Sequence, residues 1–254
     1  MRTRMSQVLV PVVAAGLLVG GLIALGRAAR DRLRQHERYT VAVSDIDCPA
    51  PPGLRRDDFL PEVQYLARLP DRLPALADDT PARLADAFAG HPWVEKVEEV
   101  RIVPPDRARV RLVFRTPALA VPQPNGSRVV DGRAVLLPAG APADGLPLLQ
   151  GAVAPPIGLA GSEWGDPAVR AAAHVAAYLR PHRERLNLTT YEVREGVVEL
   201  RCGRARVVWG SAPGSEAADE APAAEKLRRL LGAGDETAPA VRDLRTADGP
   251  PNDR

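Results

Sequence analysis

The N-terminal part of the chain contains its longest apolar segment. Residues 8–25 read VLVPVVAAGLLVGGLIAL and carry no charge. As a helix this segment would be about 27 Å long, close to the hydrocarbon thickness of a bilayer. The pattern therefore predicts a transmembrane helix over residues 8–26, between a short tail (residues 1–7) and a polar juxtamembrane helix (residues 27–38). A cleaved signal peptide is the alternative, although Ala24-Leu25-Gly26 is only a weak cleavage site.

The next part of the chain shows strand and helix patterns that predict a first domain over residues 39–117. Apolar residues alternate with polar ones at 41–46, as in a half-buried strand, and then recur at helical spacing. Thr80 followed by Pro81 is typical of a helix start. The predicted order is β-α-α-β-β, with helices near 60–67 and 80–90 and a hairpin whose strands flank the turn at 104–106.

Residues 118–246 have the pattern of a second, β-rich domain. Its clearest local signals are Asp131-Gly132, a two-residue turn, and Asp166-Pro167, a helix cap followed by proline. The other predicted elements are strands at 127–130, 133–137, on both sides of Glu195-Gly196, at 204–209 and at 240–244, a loose stretch at 138–161, a short helix with Leu227, Leu230 and Leu231, and a disordered tail at 247–254. The whole pattern predicts an α+β protein: an N-terminal transmembrane helix, a β-α-α-β-β domain, and a mixed β-rich domain with two helices.

The charge of the chain is distributed unevenly. The formal net charge is +2, but residues 1–38 contain seven Arg and two acidic residues, which leaves a balance of −3 for residues 39–254. A nucleic-acid-binding domain usually carries a basic patch, and residues 39–254 show none. The basic residues cluster around the apolar segment. More Arg residues follow the segment than precede it, and this count alone favours an orientation with the large domain inside the cell.

Side chains suited to catalysis or metal binding are sparse. The four His have no second His, Cys or acid at metal-ligand spacing, and no nucleophile elbow, phosphate-binding loop or dinucleotide fingerprint occurs. Ser162 and Ser211 lie in predicted loops without a marked base nearby. Cys202 alternates with apolar residues and is expected in the core, and a disulfide between Cys202 and Cys48 is the alternative. We therefore predict no enzyme activity, no cofactor and no metal site.

Several motifs, through their order and spacing, resemble the FtsQ/DivIB family of bacterial cell-division proteins. The run HPWVEKVEEVRIVPPDRARVRLVFRTPALAV contains the family's Pro-Trp-Val signature, here Pro92, Trp93 and Val94, and its Arg-x-Pro close, here Arg115 and Pro117. The segment VVDGRAVLL resembles a shortened form of a family hairpin. The segments RARVVWG, AEKLRRLL and VRDLR resemble the family's closing strand, helix and strand.

The resemblance implies a division scaffold that is not an enzyme. It implies a POTRA domain over residues 39–117 and an FtsQ-type β-rich domain over residues 118–246. It also implies a single-pass protein of the inner membrane at the division septum, with a cytoplasmic N-terminus, which opposes the Arg count. The implied partners are FtsB–FtsL-type coiled-coil proteins, which link the scaffold to septal peptidoglycan synthesis, and other membrane division proteins that contact the POTRA domain.

Strand addition is the binding mode expected for the FtsB–FtsL-type partner. A strand at the edge of a sheet leaves one row of N–H and C=O groups free, and an extended partner segment can pair with them. A buried or unused edge strand is the alternative. The predicted partner-binding residues are those of the last strand: Val241, Arg242, Asp243, Leu244, Arg245 and Thr246.

Two other classes of protein remain as alternatives. One is a general envelope-assembly or translocation module with a POTRA domain, although such proteins usually carry several POTRA units in tandem. The other is an envelope hydrolase, which would need convergent His, Asp or Ser groups that the sequence does not signal.

Overall fold

The computed structural model describes residues 18–26, 39–103, 105–232 and 241–246, and these form two compact units. The first unit takes the described residues of 1–50, 55–90 and 96–113, and the second takes those of 51–54, 91–95 and 114–254. Neither unit is therefore one continuous segment of the chain.

Strands and helices alternate in the first part of the chain. Strand β1 (Thr40–Ala42) and a 3-10 turn (Val43–Asp45) precede helix α1 (Arg56–Ala67), strand β2 (Arg72–Pro74), helix α2 (Thr80–Ala89), and strands β3 (Val94–Val103) and β4 (Arg107–Phe114). Strands β3 and β4 pair with each other, as predicted. Strand β2, which pairs antiparallel with β1, is an element that the sequence pattern did not indicate.

Helices α1 and α2 of the first unit bury an aromatic pair. Phe59 of α1 and Phe88 of α2 are fully buried, and their ring centroids lie 6.0 Å apart in a tilted arrangement, which aromatic pairs prefer. The start of the unit is tied to its hairpin by a parallel bridge. The Asp47 N–H donates to the Ala108 C=O (2.8 Å), and the Val110 N–H donates to the Asp47 C=O (2.9 Å).

The second unit is built on one seven-stranded mixed sheet. Its strands are β5 (Pro117–Val121), β6 (Arg128–Asp131), β7 (Leu148–Gln150), β8 (Leu188–Arg194), β9 (Val197–Cys202), β10 (Ala205–Gly210) and β11 (Val241–Asp243), and its helices are α3 (Pro167–Leu179), α4 (Arg183–Leu186) and α5 (Ala223–Gly232). The strand order is β11-β10-β9-β8-β7-β5-β6. The pairs β5–β7, β7–β8 and β10–β11 are parallel, and the other pairs are antiparallel.

Helix α3 supplies much of the core of the second unit. It begins as predicted, because the Asp166 side chain accepts a hydrogen bond from the Ala168 N–H (2.8 Å) and proline follows the cap. Its apolar stripe is buried in the same cluster as the side chains of the central strands. That cluster includes Val169 and Leu179 of α3, Tyr191 of β8 and Trp209 of β10.

The predicted transmembrane helix is not found. No helix in the described ranges is long and apolar enough to cross a membrane. The predicted fold class, which included that helix, and the predicted location as a single-pass protein of the inner membrane are therefore wrong. Residues 18–26 of the predicted span are helical. The predictions for residues 1–17, 27–38 and 247–254 lie outside the described residues.

The described chain is a mixed α/β protein, and the hairpin predicted at Asp131-Gly132 is present only in part. Residues 135–137 return antiparallel to β6, through the Val130–Leu136 bridge and hydrogen bonds from the Asp131 N–H to the Val135 C=O (3.0 Å) and from the Leu137 N–H to the Val129 C=O (2.9 Å), but residues 133–137 do not form a regular strand. Ala134 has φ of 58°, in the left-handed region that interrupts a strand. Strand β6 forms its regular ladder with β5.

Candidate partner-binding edge

The last described strand, β11, lies at one end of the seven-stranded sheet. It runs parallel to β10, with Val207 paired to Arg242 and Val208 to Asp243. The Leu244 N–H continues this ladder and donates to the Val208 C=O (3.0 Å). No other strand of the described chain pairs with β11 on its far side. The edge position required for strand addition is therefore present.

The ladder fixes which backbone groups of β11 face outward. In a parallel strand the N–H and C=O of one residue point to the same side, and successive residues alternate between the two sides. Because Leu244 faces β10, Arg242 faces it as well. The outward groups are therefore those of Val241, Asp243 and Arg245.

The six predicted partner-binding residues differ in what they can offer. Val241 is 53% exposed and Leu244 is 2% exposed. The Leu244 side chain belongs to the core cluster, so it holds β11 in place and presents no surface. The Arg242 side chain is half-buried and lies on the same face of the strand as that of Leu244. Only Val241 and Asp243 combine an exposed side chain with outward backbone groups, since the outward groups of Arg245 are already engaged.

An ion pair within the edge orders the end of β11. The Arg245 guanidinium donates to Asp243, with Nη2 to Oδ2 at 2.7 Å, and the Arg245 N–H donates to Asp243 Oδ1 at 2.9 Å. The hydrogen bond from Arg245 holds the pKa of the Asp243 carboxyl below its usual range. The same contact raises the pKa of Arg245. The two charges are thus satisfied by each other.

A second ion pair lies beneath this end of the edge and was missed from the sequence. Lys226 of α5 is fully buried, and its ammonium donates to Glu220 Oε1 and lies 5.3 Å from the centroid of the Trp209 ring. Ser211 N–H also donates to Glu220 Oε1 (2.8 Å). The sequence did carry a signal, because Lys226 falls between Ala223 and Leu230 on the apolar stripe of α5.

Gly210 makes room for that second pair. Its φ is +94°, and a Cβ at this position would lie 2.0 Å from Glu220 Oε1 and 2.8 Å from Cγ of Arg245. Any other residue would displace the carboxylate. Burial alone would raise the pKa of the Glu220 carboxyl, but the hydrogen bonds from Lys226 and Ser211 outweigh it and hold the pKa below its ordinary value.

The signature residues lie away from β11. Trp93 is buried in a cluster with Val129, Leu137 and Ala141, and its C=O accepts from the Arg115 N–H (2.8 Å). The described structure places the other signature residues around this point: Pro92 beside Gly161, Val94 at the start of β3, and Pro117 at the start of β5. The signature residues therefore belong to the packing of the second unit and to the start of β5, the first strand of its sheet along the chain.

The described residues show little that suggests catalysis. They contain no group of three or more His, Cys, Asp or Glu that could hold a metal ion. Ser211 uses its N–H to support Glu220, and the Ser162 C=O accepts from the Leu136 N–H (2.9 Å). The absence of enzyme activity stays a prediction.

Both cysteines are free thiols, and we expect them to react slowly in the folded protein because Cys48 is buried and Cys202 is partly buried. Burial raises the pKa of Cys48 to about 11 and that of Cys202 to about 12. Only the thiolate attacks an aromatic disulfide reagent, so labelling at pH 8 should be at least about 100-fold slower than in urea. Labelling of either cysteine in the folded state at the unfolded rate would contradict the raised pKa values of these thiols.

A second exposed surface lies on the first unit. Tyr65 and Leu66 near the end of α1 are 82% and 54% exposed, and with Pro61 and Leu69 they line an open hollow of about 600 Å³. Exposed aromatic and aliphatic side chains of this kind are typical of contact surfaces.

Neither a comparison with protein-family models nor one with curated proteins gives a match for this chain. The resemblance to the FtsQ/DivIB family therefore stays a prediction, and function has to be argued from the edge itself.

Proposed function

We propose that this chain is a non-enzymatic scaffold that captures an extended segment of a partner protein by strand addition to β11. The observation that carries the proposal is the exposed outer row of backbone groups at Val241 and Asp243, on a strand that no other described strand covers. Backbone pairing supplies affinity in this mode, and flanking side chains supply specificity.

The resemblance to the FtsQ/DivIB family supplies the partner. We propose an FtsB–FtsL-type coiled-coil pair, so that the scaffold is linked to septal peptidoglycan synthesis. The order of the closing elements β10, α5 and β11 agrees with the closing strand, helix and strand of that family's pattern. The hollow beside Tyr65 is the surface proposed for contact with other division proteins.

The edge is rigid enough to serve as a template. Leu244 is buried in the core and the Asp243–Arg245 pair fixes the strand end, so little ordering entropy is lost when a partner pairs with it. The short length of β11 and its charged end also limit unspecific pairing with other chains, which is a recognised hazard of open edges.

Replacing Asp243 by proline tests strand addition directly. Asp243→Pro removes an outward N–H and leaves the inward groups of Arg242 and Leu244 intact, and proline is tolerated at such an edge position. Asp243→Ala is the matched control, because it loses the same carboxylate but keeps the N–H. We expect Asp243→Pro to bind the purified FtsB–FtsL-type pair of the same host at least about tenfold more weakly than Asp243→Ala does.

Affinity would be measured by titration of the full-length chain, with circular dichroism to show that both variants are folded. Equal affinities of the proline and alanine variants would show that no partner strand pairs at Asp243. An undetectable affinity of the unmodified chain would remove the FtsB–FtsL-type partner from the proposal.

A further inference from the structure

The outer side of β11 is covered at one end by the chain itself. The Arg245 C=O, which faces outward, accepts a hydrogen bond from the Ala221 N–H (2.7 Å). Glu220 forms an antiparallel bridge with Thr246. The segment Glu220–Ala221 therefore occupies the place that an added strand would take next to Arg245 and Thr246.

The remaining groups at this end are also engaged. The Arg245 N–H donates to Asp243 Oδ1 (2.9 Å), and the Thr246 C=O accepts from Nη1 of Arg229 (2.5 Å). Outward backbone groups without such a contact among the described residues remain at Val241 and Asp243. The edge open to a partner is therefore shorter than the six residues that the sequence suggested.

The covering segment is held by buried contacts. Glu220 Oε1 accepts from the Lys226 ammonium and from the Ser211 N–H. Lys226 is fully buried against the Trp209 ring, so the segment is tied to the core through a charge that water does not reach. A contact of this kind is not given up to an incoming peptide without leaving a buried ammonium unpaired.

We propose that Glu220–Ala221 is an end stop that fixes the register of the partner strand on β11. The partner is an extended protein segment that pairs with Val241 and Asp243 and ends, or turns away, at the residue opposite Asp243. A partner segment of this kind is short and is bounded on that side by a turn residue such as Gly, Pro or Asn. This inference rests on the proposed strand addition and adds its register and its limit.

The test uses the full-length chain and peptides selected from a displayed library of random ten-residue sequences. Amide hydrogen exchange, read residue by residue by NMR, locates each peptide. In the free chain we expect the Ala221 amide to exchange at least about tenfold more slowly than the outward amide of Asp243. A bound peptide should slow exchange at Val241 and Asp243 and leave Ala221 protected.

A pair of peptides then tests the stop. One ends opposite Asp243, and the other continues for three further residues. We expect the extension to give no gain in affinity for the unmodified chain. In Ala221→Pro, which removes the N–H that covers the Arg245 C=O, the extension should strengthen binding at least about fivefold. Ala221→Gly, which keeps that N–H, is the control and should behave like the unmodified chain.

The outcomes separate the two proposals. Suppose that a peptide protects Val241 and Asp243, but that its three-residue extension raises the affinity equally for all three chains. This result would overturn the end stop and would still support strand addition. The same holds for a peptide that exposes the Ala221 amide as it binds. Peptides that bind without slowing exchange at Val241 or Asp243, or a selection that yields no binder, would overturn strand addition and the end stop together.

Discussion

Glu220→Ala is expected to destabilise the second unit by about 3–5 kcal/mol, because it leaves the Lys226 ammonium buried without its carboxylate. The Lys226 side chain is fully buried and that of Glu220 is 8% exposed. The Trp209 ring remains beside the ammonium, but a cation–π contact is worth only about 0.5–2 kcal/mol. The substitution also removes the acceptor of the Ser211 N–H.

Two further variants separate the charge from the packing. Lys226→Met removes the buried charge and keeps an unbranched chain, so it should cost less than Glu220→Ala. The free energy of unfolding of the double variant Glu220→Gln with Lys226→Met should lie within about 2 kcal/mol of that of the unmodified chain, because replacing both members of a buried ion pair is often nearly neutral. Urea unfolding followed by tryptophan fluorescence reports this unit, since Trp93, Trp164 and Trp209 all belong to it. If Glu220→Ala lowers the free energy of unfolding by less than about 1 kcal/mol, the ion pair does not contribute to stability as a buried pair should.

The same pair gives a defined dependence on pH. The pKa of Glu220 is lower in the folded chain than its ordinary value, so its contribution to stability is present above the unfolded pKa of about 4.3. That contribution is lost as the pH falls through the lower folded value. Glu220→Gln should therefore show a flatter loss of stability in acid than the unmodified chain, while the carboxyls of Glu225 and Asp243, whose pKa values are also lowered, act equally in both.

Asp131→Ala is the second substitution with a large expected effect, about 3 kcal/mol or more. Asp131 is 4% exposed, and its Oδ2 accepts from Nη1 of Arg115 (2.9 Å). Its Oδ1 accepts from the N–H groups of Arg133 (2.9 Å) and Val135 (2.8 Å). Alanine would leave one partly buried guanidinium and two backbone donors without their acceptors, and each such loss costs about 1–3 kcal/mol.

Asp131→Asn separates the contribution of the two backbone hydrogen bonds from that of the charge. Its amide oxygen can still accept from the two backbone donors, but the charge opposite Arg115 is lost, so we expect about half of the effect. Asp144→Ala, at an exposed aspartate of the same unit, is the control and should stay within about 0.5 kcal/mol. Urea unfolding of the three variants is the measurement. Equal stabilities of Asp131→Ala and Asp144→Ala would show that the turn does not depend on the carboxylate.

Elements that depend on adjacent residues could be predicted from the sequence. The start of α3 follows from Asp166 and Pro167 alone, and the turn between β8 and β9 follows from Glu195 and Gly196, which both adopt positive φ. The Asp131-Gly132 signal indicated the turn but not its length. Ala134 adopts a positive φ, so residues 135–137 return along β6 through a single bridge and two backbone hydrogen bonds without forming a regular strand.

Elements that depend on distant partners could not be predicted. Strand β7 is three residues long and lies in a stretch that the pattern indicated as loose, and it becomes a strand only between β5 and β8. The sequence predicted the edge position of β11, but it did not predict that the segment Glu220–Ala221 covers one end of that edge. That cover depends on the missing side chain of Gly210 and on the burial of Lys226, which bring Glu220 beneath the strand.

The parallel pairing of β10 and β11 has a consequence for the order of folding. Val207 and Arg242 are neighbours in the sheet but lie far apart in the chain, with α5 between them. Contacts of long sequence separation form late, because the intervening chain must be ordered first. The docking edge is therefore completed only when β10 and α5 are already in place. A partner that pairs with β11 as proposed would therefore bind only chains in which β10 and α5 have already folded.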